Sequence, residues 1–277
     1  MIDTAYLARL YGHEGKTVLI TGGLGKLGTH FAEAFARAGA QVALLDIATE
    51  PSDALAALMK EFPIRAFRAD LTDEGQVASA LQDVETAFGI PDVLINNAGW
   101  KASPNDPQGA GKPFTDYSME LWDEVFRINL KSAAICSKQV GARMIDMKKP
   151  GVILNVSSHY SLVAPDQSIY DYKVADGGTP FIKDAAYGAS KAAMNALSRD
   201  LAGEWGKYGI RVLATAFGGV NNPKSDPRFR EAYMKNVPLG RMARPDEYAG
   251  LMLFLASDAA SYMTGSVVIA DGGWTAW

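Results

Sequence analysis

The sequence predicts an α/β fold in which seven parallel strands form one doubly wound sheet with helices on both faces. Short runs of β-branched and apolar residues alternate with longer amphipathic stretches along the whole chain. The short runs are apolar throughout, which is typical of strands buried on both faces of a parallel sheet. Strands that alternate with helices favour right-handed crossover connections and therefore a single twisted sheet.

The elements follow one another in a regular order. Strands are predicted at residues 17–20, 42–45, 64–67, 93–95, 152–156, 210–215 and 267–270. Helices are predicted between them at residues 27–38, 53–61, 74–88, 118–131, 189–205 and 246–255. Because no internal repeat or low-complexity segment interrupts this pattern, we expect one domain over residues 1–277.

Three loop insertions are expected in this domain, near residues 101–117, 159–184 and 218–240. The first two follow the fourth and fifth strands and are rich in Pro, Gly and Asp. They therefore lie past the carboxyl ends of the strands, the edge at which open α/β sheets bind their ligands. Long loops at that edge are usually functional or disordered, and we favour a functional role.

Composition excludes several classes of protein. The net charge is −4 and no run of Lys or Arg is longer than a pair, so a nucleic-acid surface is not expected. No stretch reaches the ~18 apolar residues of a membrane span, and the N-terminus lacks the apolar core of a signal peptide. Cys136 is the single cysteine, which fits a reducing compartment, and we expect a cytoplasmic protein. His13, His30 and His159 are widely spaced, so no metal site is expected.

The stretch TGGLGKLG at residues 21–28 follows the first strand, opens a helix and contains GxGxxG. A triphosphate-binding loop would need Gly at position 20 and Ser or Thr at position 27, where Ile20 and Leu27 stand. The stretch therefore indicates a dinucleotide, whose pyrophosphate the backbone N–H groups of a Rossmann-type turn can approach closely. Lys26 could approach a phosphate or be solvated. The cofactor contacts predicted here are Gly22, Leu24, Gly25, Lys26 and Leu27.

Asp46 ends the second strand and indicates which dinucleotide is bound. A carboxylate at that position accepts hydrogen bonds from the adenosine ribose hydroxyls of NAD and repels the 2′-phosphate of NADP. The next two residues, Ile47 and Ala48, supply no arginine for such a phosphate. The sequence therefore favours NAD.

Tyr187 and Lys191 form the most suggestive pair for catalysis. Their i, i+4 spacing places both side chains on one face of a helix, and no other tyrosine of the chain has a lysine four residues further on. A phenol with a pKa near ~10 is a poor base at neutral pH. A nearby ammonium stabilises the phenolate, so we expect Lys191 to lower the pKa of Tyr187.

The chain resembles the short-chain dehydrogenase/reductase family from about residue 16 to residue 273. The ordered motifs that carry the resemblance are the glycine stretch, Asp70-Leu71-Thr72, the NNAG run at residues 96–99, Asn129 in RINLKS, Ser157-Ser158, YGASK at residues 187–191 and the C-terminal PLGRMARPDEYAG run. Each motif alone is weak, and their order and spacing are specific.

The resemblance implies a role for each matching residue. Tyr187 would exchange a proton with the substrate oxygen during hydride transfer, and Lys191 would hold the nicotinamide ribose. Ser158 would bond the substrate oxygen, with Ser157 as the alternative serine, and Asn129 would anchor a proton relay behind Lys191. Further cofactor contacts are implied for Asp70, Leu71, Asn97, Gly99 and the backbone of Val220.

The sequence departs from the family pattern at three places. Lys26 stands where the family has a glycine, and Phe217 stands where a Pro-Gly pair usually begins. Because proline fixes φ, its loss predicts a less rigid loop beneath the nicotinamide. Ser158 and Tyr187 are also 29 residues apart, a longer link than usual, so the insertion between them is expected to line the substrate pocket or contact another subunit.

The substrate is less defined than the chemistry. Aromatic and charged residues in the insertion and in residues 221–230 suit a small sugar, sugar acid or polyol. The alternatives are a hydrophobic ketone or acyl substrate and, in another class, a non-catalytic NAD(H) sensor. His159 is expected in the pocket wall or as a hydrogen-bonded loop residue. The family's tetramers suggest a homotetramer or dimer, with Trp274 and Trp277 buried at an interface.

Overall fold

A computed structural model describes residues 3–100, 111–175, 177 and 180–277. Within them one seven-stranded parallel sheet has the order β3-β2-β1-β4-β5-β6-β7, so the predicted Rossmann-type fold is confirmed. Its strands are β1 (Thr17–Thr21), β2 (Gln41–Asp46), β3 (Ile64–Arg68), β4 (Val93–Asn96), β5 (Gly151–Val156), β6 (Ile210–Phe217) and β7 (Val267–Ala270). The order reverses between β1 and β4, and the crevice outside their carboxyl ends is where such sheets bind ligands.

The described helices are α1 (Thr4–Tyr11), α2 (Lys26–Arg37), α3 (Asp53–Glu61), α4 (Glu74–Phe88), α5 (Met119–Phe126), α6 (Ser132–Asp146), α7 (Tyr172–Ala175), α8 (Ala185–Trp205), α9 (Pro227–Lys235) and α10 (Ala249–Ala256). Among these residues no helix is both long and apolar enough to cross a membrane. The sequence patterns did not indicate α1, α6, α7 or α9.

Alternating side chains of each strand enter two separate cores. Val18 and Ile20 of β1 pack with Phe31 and Phe35 of α2 on one face. Leu19 points to the other face, where α4, α6 and α8 cover the sheet. Both faces of the sheet are therefore covered by helices and excluded from water, which explains why the strands are apolar throughout.

The predicted helix at residues 118–131 is divided in the structure. Helix α5 ends at Phe126, a π-helical turn follows at Arg127–Lys131, and α6 continues to Asp146. The extra residue of a π turn shifts the apolar spacing, so one 3.6-residue pattern cannot span both helices. Such turns occur frequently at functional sites, and this one contains Asn129.

Helix α8 begins at Ala185, four residues before the predicted start, because Asp184 caps it. The Asp184 Oδ1 atom accepts the backbone N–H of Tyr187 at 2.9 Å. An N-cap carboxylate satisfies an N–H group that has no partner within the helix. The cap therefore fixes Tyr187 in the first turn of the helix.

Candidate active site

A cleft of about 950 Å³ opens at the carboxyl ends of the central strands. Seven of the predicted site residues line it: Leu27, Asn97, Gly99, Ser158, Tyr187, Lys191 and Val220. Trp100 lines it as well. Gly22, Leu24, Gly25, Lys26, Asp46, Asp70, Leu71 and Asn129 lie outside this lining.

Ser158 and Tyr187 meet in the cleft although 29 residues separate them in sequence. The Ser158 hydroxyl forms a hydrogen bond with the Tyr187 side chain and accepts the backbone N–H of Tyr160 at 3.2 Å. Ser157 instead donates to the backbone carbonyl of Lys191 at 3.0 Å. The second serine is therefore the one in contact with the tyrosine.

Lys191 is buried and Tyr187 is half-buried, and desolvation has the largest effect on the pKa of each side chain. Burial raises the pKa of Tyr187 and Asp184 adds to this, while the bond from Ser158 lowers the pKa in part. Burial also lowers the pKa of Lys191 to about 8. The Lys191 Nζ atom donates to the carbonyl of Val156 at 2.7 Å. The predicted lowering of the Tyr187 pKa by Lys191 is therefore not found in this structure, in which burial raises that pKa.

A second cation, Lys183, lies against Tyr187. Its Nζ atom is 4.5 Å from the centroid of the Tyr187 ring and 3.4 Å from Asp184 Oδ2. Both partners of that ion pair are buried. The sequence indicated Lys183 only as one charge among several in the insertion, because nothing local shows that its loop folds over the tyrosine.

Asn129 is buried behind the cleft and joins two of its walls. Its Oδ1 atom accepts the N–H of Trp100 at 2.6 Å, and its Nδ2 atom donates to the carbonyl of Trp100 at 2.9 Å and to Ser190 Oγ at 3.2 Å. A Cβ atom on Gly99 would lie 3.3 Å from Asn129 Oδ1 and 3.4 Å from Lys191 Nζ. Glycine at position 99 thus lets these two polar groups lie close together.

The turn between β1 and α2 has the features of a pyrophosphate cradle. Gly25 caps α2 with no side-chain hydrogen bond, so the N–H groups of the first turn remain available to an anion. Gly22 has a φ of 61°, and a Cβ atom on Gly28 would lie 2.4 Å from the Gly22 oxygen. Only bare backbone fits here, which agrees with the dinucleotide interpretation.

Asp46 holds this turn from the end of β2. Its Oδ2 atom accepts the N–H of Leu24 and its Oδ1 atom the N–H of Ala48, each at 3.0 Å. A carboxylate has about four acceptor sites, so capacity for ribose hydroxyls remains. The strand register also pairs Asp46 with Arg68 of β3, a neighbour that the sequence alone did not indicate.

The remaining adenine-side candidates differ in their surroundings. Asp70 accepts the N–H of Thr72 at 2.9 Å and so shapes a turn after β3, while Leu71 packs into the hydrophobic core. Asn97 donates through Nδ2 to the carbonyl of Gly22 at 3.0 Å. Asn97 therefore ties the end of β4 to the glycine turn and also lines the cleft.

Val220 follows β6 at the opposite wall of the cleft. The neighbouring Gly219 carbonyl accepts the N–H of Ala243, and Asn221 N–H donates to the Ala243 carbonyl. Among the described residues no hydrogen bond involves the N–H or the carbonyl of Val220 itself, so both are available to a carboxamide. From the start of α2, Lys26 Nζ reaches the carbonyl of Asn221 at 3.4 Å.

The C-terminal tryptophans differ from expectation. Trp274 is buried within its own chain, with its ring centroid 4.4 Å from Tyr233 and 5.2 Å from His159. The prediction that Trp274 needs a subunit interface for burial is therefore wrong, because α9 and the insertion already cover it. Trp277 is 78% exposed. His159 lines the cleft wall and is hydrogen bonded, as predicted.

The described part of the chain holds no group of three His, Cys, Asp or Glu side chains suited to a metal ion.

A family model described as "Enoyl-(Acyl carrier protein) reductase" matches residues 25–275. The chain belongs to the short-chain dehydrogenase/reductase family. It is accordingly an oxidoreductase that acts on alcohol or carbonyl groups with a nicotinamide cofactor.

Relatives of this short-chain dehydrogenase cover nearly its whole length. The D-threitol dehydrogenase of Mycolicibacterium smegmatis is 33% identical over 273 residues, which are 95% of this chain and 94% of the relative. The cis-4-hydroxycyclohexanecarboxylate dehydrogenase of Sinomonas cyclohexanicum is 33% identical over 268 residues, which are 94% of this chain and 97% of the relative.

Solved structures agree with the fold and differ in cofactor. A short-chain dehydrogenase from Leptospira borgpetersenii with bound NAD⁺ has a TM-score of 0.83 and 29% identity, covering 97% of this chain and 95% of its own. A gluconate 5-dehydrogenase from Burkholderia cenocepacia in complex with NADP and tartrate has a TM-score of 0.82 and 27% identity, covering 98% and 99%.

Proposed function

We propose that the chain is an NAD-dependent dehydrogenase that interconverts a secondary alcohol and a ketone in a small polyol, sugar or sugar acid. The observation that carries the proposal is the wall of the cleft beyond Ser158 and Tyr187. It presents hydroxyl, amide and ammonium groups together with aromatic rings, from Tyr160, Tyr172, Lys173, Lys183, Asn222 and Lys224. Such a wall offers hydrogen bonds to a compound with several hydroxyl groups.

The contacts in the cleft support the catalytic roles that we propose. In alcohol oxidation Tyr187 takes the hydroxyl proton, and Ser158 holds the same substrate oxygen by a hydrogen bond. A nicotinamide held in this cleft would supply the acceptor for the hydride of the carbinol carbon. Lys191 lies one helical turn from Tyr187, and the Lys183 ammonium is 4.5 Å from the centroid of the Tyr187 ring. Asn129 keeps the backbone of Trp100 and α8 in register behind Lys191.

The cofactor would extend along the strand ends from Asp46 to Val220. We assign the adenine side to Asp70 and Leu71, the ribose hydroxyls to Asp46, and the carboxamide to Val220. The pyrophosphate falls to the turn and first residues of α2, namely Gly22, Leu24, Gly25, Lys26 and Leu27. Asn97 and Gly99 border the nicotinamide side, and Lys191 binds its ribose.

Cofactor choice is tested by Asp46→Ala with Arg68→Ala as the matched variant. Asp46→Ala is expected to raise the ratio of kcat/KM with NADP⁺ to kcat/KM with NAD⁺ by about tenfold, because it removes hydroxyl acceptors and a repelling charge. Arg68→Ala is expected to lower that ratio, since it removes the cation next to Asp46 in the sheet. An Asp46→Ala enzyme with an unchanged ratio would show that Asp46 does not distinguish the ribose hydroxyls of NAD⁺ from the 2′-phosphate of NADP⁺.

Substrate class is tested with a panel scored by the absorbance of the reduced nicotinamide. The proposal predicts the highest kcat/KM for linear polyols, aldonic acids or ketoses. A second candidate is a hydrophobic ketone or acyl substrate, and the name of the cis-4-hydroxycyclohexanecarboxylate dehydrogenase among the relatives supports a cyclic substrate. Preference for cyclic hydroxy acids or acyl thioesters over polyols would replace the first proposal. Tight NADH binding without turnover on the whole panel would instead support a sensor.

We also propose a cytoplasmic homo-oligomer, a tetramer or a dimer. Helix α10 carries apolar residues around its circumference, including the partly exposed Leu251, Leu253 and Phe254. On the opposite face of the sheet, the edge strand β7 leaves Ile269 49% exposed. Light scattering of the purified protein is expected to give two or four times the 29.7 kDa chain mass, and a monomer would contradict the proposal. Cell fractionation tests the cytoplasmic location.

A further inference from the structure

The loop after β6 begins with two flexible glycines and leads to Val220, whose backbone is proposed to contact the nicotinamide carboxamide. Gly218 and Gly219 follow Phe217 directly, and the three residues with Val220 form one wall of the cleft. Consecutive glycines have the largest conformational freedom of any residues, and no proline stands between Phe217 and Val220 to restrict them. Something else in the structure must therefore hold the backbone that leads to Val220.

Two side chains from distant segments close a hydrogen-bonded ring around Gly218. His159 Nδ1 lies 2.9 Å from the carbonyl oxygen of Phe217, and its Nε2 lies 3.4 Å from the Tyr233 hydroxyl. The Tyr233 hydroxyl in turn accepts the N–H of Gly219 at 2.7 Å. The ring thus connects the carbonyl of one residue to the N–H of the second residue after it.

Donors and acceptors in this ring can be assigned from chemistry. A carbonyl only accepts, so His159 carries its proton on Nδ1. Burial lowers the pKa of His159, which keeps the imidazole neutral and leaves Nε2 as an acceptor. The Tyr233 hydroxyl donates to Nε2, and its oxygen remains free to accept from Gly219. Each of the three bonds therefore has one donor and one acceptor.

Other contacts secure the same segment. The Tyr248 hydroxyl donates to the Gly218 carbonyl at 3.0 Å, and its ring stacks on Phe217 at a centroid distance of 4.1 Å. A Cβ atom on Gly219 would lie 2.6 Å from the Tyr233 ring, so the phenol is placed directly against the backbone. With these groups bonded, the N–H and carbonyl of Val220 are the polar backbone groups left for a ligand.

We propose that His159 and Tyr233 are positioning residues that hold the Phe217–Gly219 backbone so that Val220 presents its N–H and carbonyl to the nicotinamide carboxamide. This inference rests on the proposed cofactor contact of Val220. It assigns a function to α9, which contributes Tyr233, and to the insertion that begins at His159. The two side chains supply the rigidity that a proline would otherwise give to the loop.

The test compares ligands with and without the nicotinamide. Tyr233→Phe removes one hydroxyl and keeps the ring against Trp274. Titration calorimetry is run with NAD⁺ against ADP-ribose, and with NADP⁺ against 2′-phospho-ADP-ribose. The comparison uses whichever of these two ligand pairs the wild type binds. Tyr233→Phe is expected to bind the dinucleotide of that pair about threefold to tenfold more weakly, the effect of losing one hydrogen bond. The nicotinamide-free ligand is expected to keep its Kd.

Matched variants separate positioning from general damage. Tyr170→Phe removes a hydroxyl from another buried tyrosine that packs on Phe229, as Tyr233 does, and should leave the ratio of the two Kd values unchanged. His159→Asn retains a donor toward Phe217 and should fall between wild type and His159→Leu. Equal weakening of both ligands, or an unchanged ratio in Tyr233→Phe, would overturn the inference. If the wild type binds only NADP⁺ and 2′-phospho-ADP-ribose, the NAD proposal is contradicted. The effect of Tyr233→Phe is then measured with those two ligands.

Discussion

Lys191 should destabilise the folded chain at neutral pH, and Lys191→Met should relieve that cost. Burial lowers the pKa of Lys191 from 10.5 to about 8. At 1.36 kcal/mol for each pH unit, charged Lys191 costs about 3 kcal/mol of folding free energy at pH 7. Methionine fills a similar volume without charge, but it loses the bond to Val156, worth about 1 kcal/mol. The variant is therefore expected to be about 2 kcal/mol more stable at pH 7.

The lowered pKa of Lys191 also predicts how the stability difference between wild type and Lys191→Met changes with pH. Because the pKa of Lys191 is lower in the folded chain, the unfolded chain binds the extra proton between pH 8 and 10.5. The wild type should therefore gain stability relative to Lys191→Met as pH rises through that window. Buried tyrosines with raised pKa values are shared by both proteins and largely cancel in the difference.

Urea unfolding at fixed protein concentration, repeated from pH 7 to pH 10, measures that difference. Lys138→Met serves as the control, because Lys138 is 68% exposed and forms only a surface ion pair with Glu74. Its stability should stay within about 0.5 kcal/mol of wild type at each pH. A Lys191→Met protein that is less stable than wild type, or a difference that does not change with pH, would refute the reasoning. Loss of turnover in the same variant would show that the lysine is retained for function.

Three further outcomes follow from single contacts. Gly28→Ala should weaken NADH binding about tenfold by fluorescence titration, since its Cβ would strike the Gly22 carbonyl, whereas Gly203→Ala, with open space around it, should not. Asn155→Ala should lower the free energy of unfolding by about 2 to 4 kcal/mol in urea, because its buried partners lose their bonds; wild-type stability would contradict this. Ser158→Ala should lower kcat/KM about a hundredfold when the absorbance of the reduced nicotinamide is followed, while the Kd of NADH stays unchanged.

Local pattern was sufficient for the sheet and for the Tyr187 and Lys191 pair, and the family resemblance added Ser158. Every strand was predicted within two residues at either end, because continuous apolar runs reflect burial on both faces. The Tyr187 and Lys191 pair was found because helical spacing is readable from sequence. Ser158 was distinguished from Ser157 by motif position, and the structure gives the reason in their different partners.

The contacts that local pattern could not indicate all depend on chain segments far apart in sequence. Helix α9 is rich in charged residues and begins with a proline, so its sequence resembled a loop, yet it supplies Tyr233. Lys183 reaches Tyr187 only because the insertion folds back over the cleft. The direction of the Tyr187 pKa depends on burial, which a pairwise spacing argument leaves out. Residues 101–110 of the first predicted insertion lie outside the described residues.

The central claim is that Tyr187 exchanges the proton during hydride transfer in this cleft. The most direct measurement is NAD⁺-dependent oxidation of the best panel substrate by wild type and Tyr187→Phe, with NADH binding measured in parallel. The variant is expected to lose about a hundredfold to ten-thousandfold in kcat and to bind NADH as the wild type does. A Tyr187→Phe enzyme with wild-type turnover would contradict the assigned mechanism.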